Sequence, residues 1–188
     1  MSVPPDLQIL QDQLDDAERD ARQLTAGLGE ELGNWRPSQS SWSVAECLDH
    51  LAASNRVYLT SMRHPATRAR EQGRLRRRPA KPGLIGGFFV RLIEPPVRMR
   101  VKAPRSIQPR SAPSLDDAFA DFCAEQNEVR AFLRTYGDLD LAGLQYPNPF
   151  IPGIRLSLAT GLHVITAHER RHLWQAWRVR KSAEAALS

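Results

Sequence analysis

Apolar residues spaced three and four apart, in four separate stretches, constrain this chain most. A stripe of that period is buried only when the stretch is a helix packed against others. The first stripe is Leu7, Leu10, Leu14, Ala17, Ala21, Leu24 and Leu28, and it predicts one long helix from about Asp6 to Leu32, closed by Gly33-Asn34 and Pro37. The second starts at Ser43, where Ser43 and Glu46 form a capping box and Trp42 precedes it as an apolar staple. Its inner stripe is Val44, Leu48, Leu51, Asn55, Tyr58 and Met62, and Pro65 is expected to end it. The third starts at Ser114, with Asp117 three residues on, and carries Leu115, Phe119, Phe122, Gln126, Val129 and Leu133 up to Gly137. The fourth runs from about Ser157 to Lys181 on Leu158, Leu162, Ile165, Ala176 and Val179, with a frayed tail from Ser182. No strand of convincing length and no fixed-period repeat is visible.

Residues 64–113, between the second and third helices, form a connection punctuated by prolines from Pro65 to Pro113. Inside it, Leu84–Ile93 is an apolar run that predicts one short helix stopping at Pro95. That run is too short to span a bilayer. Packing over one end of the bundle is the preferred reading, and lying on a membrane surface is the other. The expected architecture is therefore all-α: a four-helix bundle, one domain over residues 1–188, with a long, proline-rich basic connection between its second and third helices.

The net charge of +5 hides an asymmetry. From Arg63 to Arg110 fourteen Lys or Arg face two acids, Glu71 and Glu94, so this segment is +12 and the rest of the chain is −7. Such a patch suits nucleic acid or an anionic membrane. No aromatic residues interleave the Arg68–Lys81 run for base stacking, which favours a solvated connector over either partner. The N-terminal Met-Ser-Val-Pro-Pro-Asp has no basic and no apolar part of a secretory leader. Cys47 and Cys123 each sit in an apolar helical pattern, which predicts two reduced, buried thiols and a cytoplasmic location, and without a C-x-x-C pair no thiolate zinc site is supported.

The chemistry concentrates in the fourth helix, at His168-Glu169-Arg170-Arg171-His172. Histidines at i and i+4 share a helix face, here the face of Leu158, Ile165 and Val179, and can grip one ion together. Two buried imidazoles without a partner are costly, which favours a metal over a merely hydrogen-bonded pair. The string also reads H-E-x-x-H, with Glu169 as the general base of a metalloprotease. Gln175 and Arg178, however, stand where the extended motif needs Gly and His, and no substrate-binding strand is found. The residues themselves leave the third ligand open. His163 is five positions before His168 and faces away, His64 sits beside Pro65 at a helix end, and His50 lies on the flank of the second stripe.

Residues Trp42 to Leu51, W-S-V-A-E-C-L-D-H-L, resemble the motif W-S-x-x-E-x-x-x-H-L of the DinB-like superfamily, which includes YfiT-type metal-dependent hydrolases and thiol-dependent transferases. Trp35 and Pro37 ahead of it also fit. His168 to Gln175 resembles the second motif, H-x-x-x-H-x-x-Q, and the order and separation of the two match as well. The resemblance implies a bundle with three histidine ligands, His50, His168 and His172, and open coordination positions. One divalent ion is implied, zinc or nickel foremost, with iron or copper also suited to an all-imidazole set. Three protein ligands with positions left for water is the pattern of a catalytic site. The long 64–113 connection departs from the family pattern and would serve as a lid or an oligomer contact.

Around such a site, Asn55 and Gln126 interrupt apolar stripes, and Gln175 lies one turn beyond His172. Each is expected to hydrogen-bond a ligand imidazole or bound water, whereas Glu46 is read as a cap. The implied function is a metal-dependent enzyme that activates water or a low-molecular-weight thiol toward a small electrophile, as a hydrolase or thiol S-transferase. The alternative is a non-catalytic metal- or anion-binding module that uses the basic segment, with the H-E-x-x-H protease a lesser one. The expected partners are a small-molecule substrate or thiol and a second copy in a homodimer.

Overall fold

Ser43 shows how local sequence sets the frame. Its hydroxyl accepts from the Glu46 amide at 3.1 Å, and the Glu46 carboxylate accepts from the Ser43 amide at 2.9 Å, so the predicted capping box is formed. The computed structural model describes residues 3–96 and 102–186. Among them are six α-helices: α1 (Pro5–Thr25), α2 (Glu30–Asn34), α3 (Val44–Glu71), α4 (Leu84–Ile93), α5 (Leu115–Tyr136) and α6 (Leu158–Ala186). The chain is mostly helical, as the four apolar stripes require. The long helices close a ring: α1 and α3 each pack on both α5 and α6, and α4 lies on α6.

Four features differ from the sequence reading. The first stripe is split, because Gly27 takes a left-handed conformation, φ 69°, and turns the chain between α1 and α2. Leu28 stays buried past the turn, so the apolar spacing survives the break. Glu30 of α2 then accepts from the Leu115 amide at 2.9 Å and caps α5. Secondly, Pro65 does not end the second helix. It sits inside α3, which continues to Glu71. Proline forfeits one backbone hydrogen bond, but tertiary contacts hold the following turn: Ala66 and Ala69 are buried, Thr67 Oγ1 and Tyr136 OH are 2.8 Å apart, and Arg70 reaches Asp138 at 3.1 Å. Thirdly, two short strands are present. β1 (Gln145–Pro147) and β2 (Arg155–Ser157) pair antiparallel with Tyr146 opposite Leu156, three residues each and below what an alternation pattern can reveal. Lastly, α6 runs to Ala186, past the expected fraying at Ser182, where Arg180 bonds Glu184 at 2.7 Å and Ala183 is buried.

The predicted short helix α4 has the expected bounds. Ahead of it the connection is fastened to α1: Asp6 accepts from the Ala80 amide at 2.6 Å and from Arg76 at 2.5 Å. After it, a 3-10 turn at Arg105–Ile107 leads to Arg110. Asp49 accepts from the Arg110 amide and from Arg110 Nε, both at 2.7 Å, and so straps this end of the connection to α3.

The core has two apolar clusters along the helix axes. One gathers Leu10, Leu14, Tyr58, Met62, Val129 and Ile165, the other Leu24, Leu48, Leu51, Phe122 and Leu173. Between them every long helix contributes polar residues at the same level. Gln13 accepts from Thr166 at 2.8 Å there, and Ser54, Asn55, Gln126 and Glu169 are all buried. Positions that looked like isolated interruptions of separate stripes thus form one polar layer. No helix among the described residues is long and apolar enough to cross a membrane.

Candidate metal centre

His50 is carried into the interior by the helix that the Ser43–Glu46 capping box starts. Two turns of α3 separate Ser43 from His50, and the imidazole is 1 % exposed. It is therefore a buried residue, not the flanking one that the apolar stripe suggested. His168 and His172 reach the same place from α6. The three rings face one another edge-on, with centroids 4.9 Å apart for His50 and His168, 4.5 Å for His50 and His172, and 4.6 Å for His168 and His172. One ring nitrogen from each lies within 4.8 Å of the others, so the cluster could hold a metal ion.

Hydrogen bonds fix which nitrogens face inward. His50 Nδ1 lies 2.6 Å from the carbonyl oxygen of Ile107. A carbonyl only accepts, so Nδ1 carries the proton and Nε2 presents a lone pair. His168 Nδ1 lies 3.3 Å from Ser54 Oγ, and its Nε2 lies 3.2 Å from His50 Nε2. Tetrahedral ligands at metal–nitrogen bonds of about 2.0–2.1 Å have nitrogens about 3.3 Å apart. His172 Nδ1 is buried and makes no hydrogen bond. Both observations fit a shared ion.

The electrostatics point the same way. Burial pulls the His50 imidazole down to about 4, against the raising influence of the Ile107 carbonyl and Asp49. His168 and His172 lie well below the ordinary histidine range, first through burial and then through mutual repulsion and the nearby Arg171. All three are neutral near pH 7, the form in which imidazole binds metals. Trp42 walls the cluster, its ring centroid 4.6 Å from that of His50 and 5.5 Å from that of His172.

The other candidate residues are placed as follows. Gln175 lies beside His172 and raises its affinity for a proton. Asn55 turns to Glu169, donating to Oε1 at 2.7 Å. Gln126 faces the same carboxylate, and neither of its amide atoms closes a hydrogen bond of ordinary geometry. Glu169 is fully buried, and burial raises its carboxyl to about 7 against the lowering influence of the Asn55 hydrogen bond and the nearby Gln126 amide. Its second oxygen has no hydrogen-bond partner. His163 points away as its spacing requires and meets the Ala80 carbonyl at 3.1 Å, while His64 is exposed on α3. Cys47 is buried as expected, but Cys123 is only half-buried, and both thiols are free.

Three contributors were not singled out from the sequence. Ser54 is four residues after His50, a spacing that places both on one face of α3 and could have found it. Trp42 was read as a staple and as the first residue of the family motif, not as a wall of the site. The Ile107 carbonyl lies 57 residues from His50 in a connection with no periodic pattern, and as a backbone group it leaves no residue-type signal.

No curated protein and no solved structure matches the chain. The family model of the DinB superfamily matches residues 13–176, a span that contains His50, His168 and His172. The chain belongs to the DinB superfamily.

Proposed function

We propose that this protein is a four-helix bundle that holds one divalent metal ion through His50, His168 and His172 and acts as an enzyme on a small molecule. The supporting observation is the convergence of three neutral, buried imidazoles, with the His50 and His168 Nε2 atoms 3.2 Å apart. A bound ion supplies Lewis acidity, which activates water or a low-molecular-weight thiol as a nucleophile. Zinc and nickel are the first candidates, with iron and copper also compatible with three imidazoles.

The chain's own residues would hold and shape this site. The Ile107 carbonyl fixes the His50 tautomer, Ser54 steadies His168, and Trp42 covers His50 and His172. Arg171 lowers the proton affinity of all three histidines, and the same positive charge favours an anionic substrate or a thiolate over a cationic one. The free thiols fit a reducing, cytoplasmic setting. Metalloprotease chemistry suits the site less well. Glu169, the general base of that reading, is enclosed in the polar layer with Asn55 on one oxygen.

Metal-loaded protein would be given small electrophiles with and without low-molecular-weight thiols, and hydrolysis or thiol consumption followed. Turnover in the parent and none in His172→Ala supports the enzyme reading. Inertness of metal-loaded parent across the panel refutes it and leaves a non-catalytic metal-binding module.

A further inference from the structure

Helix α4 is apolar nearly all round, Leu-Ile-Gly-Gly-Phe-Phe-Val-Arg-Leu-Ile, and a helix of that kind is normally enclosed. Only one side is. Gly86 is buried against Thr160, where an added Cβ would collide, and Phe89, Val90 and Ile93 pack on the core. The other side carries Leu84, Ile85, Phe88 and Leu92, which are 97 %, 83 %, 66 % and 57 % exposed. At about 100° per residue these four fall within an arc of about 100°. A contiguous apolar face of this kind marks an interaction site.

The sequence flanking it is basic. Lys81 precedes the helix, and Arg91, by the same helical spacing, lies on the rim of the exposed face. Arg77 and Arg105 stand in the chain before and after. None of the four side chains makes an ion pair among the described residues. The acid at the helix end, Glu94, is taken up by Arg170 of α6.

We propose that this face docks on an anionic lipid surface, with Leu84, Ile85, Phe88 and Leu92 inserted below the headgroups and Lys81 and Arg91 against their phosphates. Apolar insertion and attraction of basic side chains to anionic headgroups are the two contributions that hold an interfacial helix. The competing occupant is a second copy of the chain, and charge decides against it. An isologous contact would bring Lys81 and Arg91 of both copies together with no free acid from α4 to meet them. The helix is also small: its ten residues span about 15 Å, little beside the roughly 800 Å² that each partner of a standard interface buries. The inference does not depend on the metal site.

The test is co-sedimentation of the full chain with phosphatidylcholine vesicles, with and without phosphatidylglycerol. The parent is expected to partition onto the anionic vesicles and to be released by raised salt. Leu84→Ser with Phe88→Ser should lower that partitioning by at least about tenfold, and Lys81→Glu with Arg91→Glu should do the same. All four residues are exposed, so thermal unfolding and metal content should match the parent and exclude misfolding as the cause. Equal binding to neutral and anionic vesicles, no binding to either, or parent-like binding by the serine pair overturns the proposal. So does a dimer in sedimentation velocity that the serine pair converts to monomer while vesicles stay bare.

Discussion

His50 Nε2 and His168 Nε2, 118 residues apart in the chain, stand 3.2 Å from each other in the interior. Because His50 gives its only proton to the Ile107 carbonyl, its Nε2 brings a lone pair to that meeting. If Ser54 accepts from His168 Nδ1, a second lone pair faces it. In that tautomer the two lone pairs repel unless a cation lies between them, whereas in the other, with Ser54 donating to Nδ1, the His168 Nε2–H donates to His50 Nε2. A metal ion held here would be met by both lone pairs of the first tautomer.

Trp42 is expected to protect the site more than to build it. Trp42→Ala removes the ring packed on His50 and His172 and admits water. Metal affinity should fall by about tenfold, read by chelator competition, with the helical content unchanged. An unaltered affinity would mean that the ring is only a staple for α3.

Asp49 ties the connection to the site. Asp49→Ala removes both bonds to Arg110 and frees the segment whose Ile107 carbonyl orients His50. A stability loss of about 1–3 kcal/mol is expected in denaturant melts, with weaker metal binding. If metal binding stays at the parent level, the strap does not act through His50.

Glu169 separates a buried structural group from a catalytic base. Glu169→Gln keeps an oxygen for the Asn55 amide and should retain both fold and metal. Glu169→Leu leaves that amide buried and unpaired, at about 1–3 kcal/mol. Equal stability of the two variants would remove Glu169 from the polar layer as described.

Asp6 gives a pH signature. Burial works against its ionisation, but hydrogen bonds from Arg76 and the Ala80 amide outweigh it and hold the carboxyl below its ordinary value. A carboxyl depressed in the folded state contributes stability above its unfolded value, near 3.8, and loses it as pH falls through the folded one. Asp6→Asn should therefore cost about 1–2 kcal/mol at pH 7, and the difference from the parent should shrink below pH ~4. A pH-independent difference would show that the charge is not what matters.

Much of this was legible in the sequence because local rules governed it. The four stripes, the Ser43–Glu46 box and the bounds of α4 follow from periodicity and capping alone. The histidine pair of α6 follows from its spacing of four. What escaped was set by contacts between distant segments. Pro65 should have ended α3, yet packing of Ala66 and Ala69 and the Tyr136 hydroxyl carry the helix onward. Gly27 breaks the first helix although Leu28 keeps the apolar spacing. Asn55 and Gln126 were visible as misfits, but their meeting with Glu169 depends on three helices arriving at one level. The Ile107 carbonyl had no signal at all.

Metal content tests the central claim most directly. The chain, purified without a histidine tag, would be analysed by mass spectrometry beside His50→Ala and His172→Ala, with thermal unfolding as a control for folding. About one equivalent of divalent metal in the parent, lost in both variants, is the predicted result. Metal retained in folded His50→Ala, or no metal in the parent under any loading condition, would contradict it.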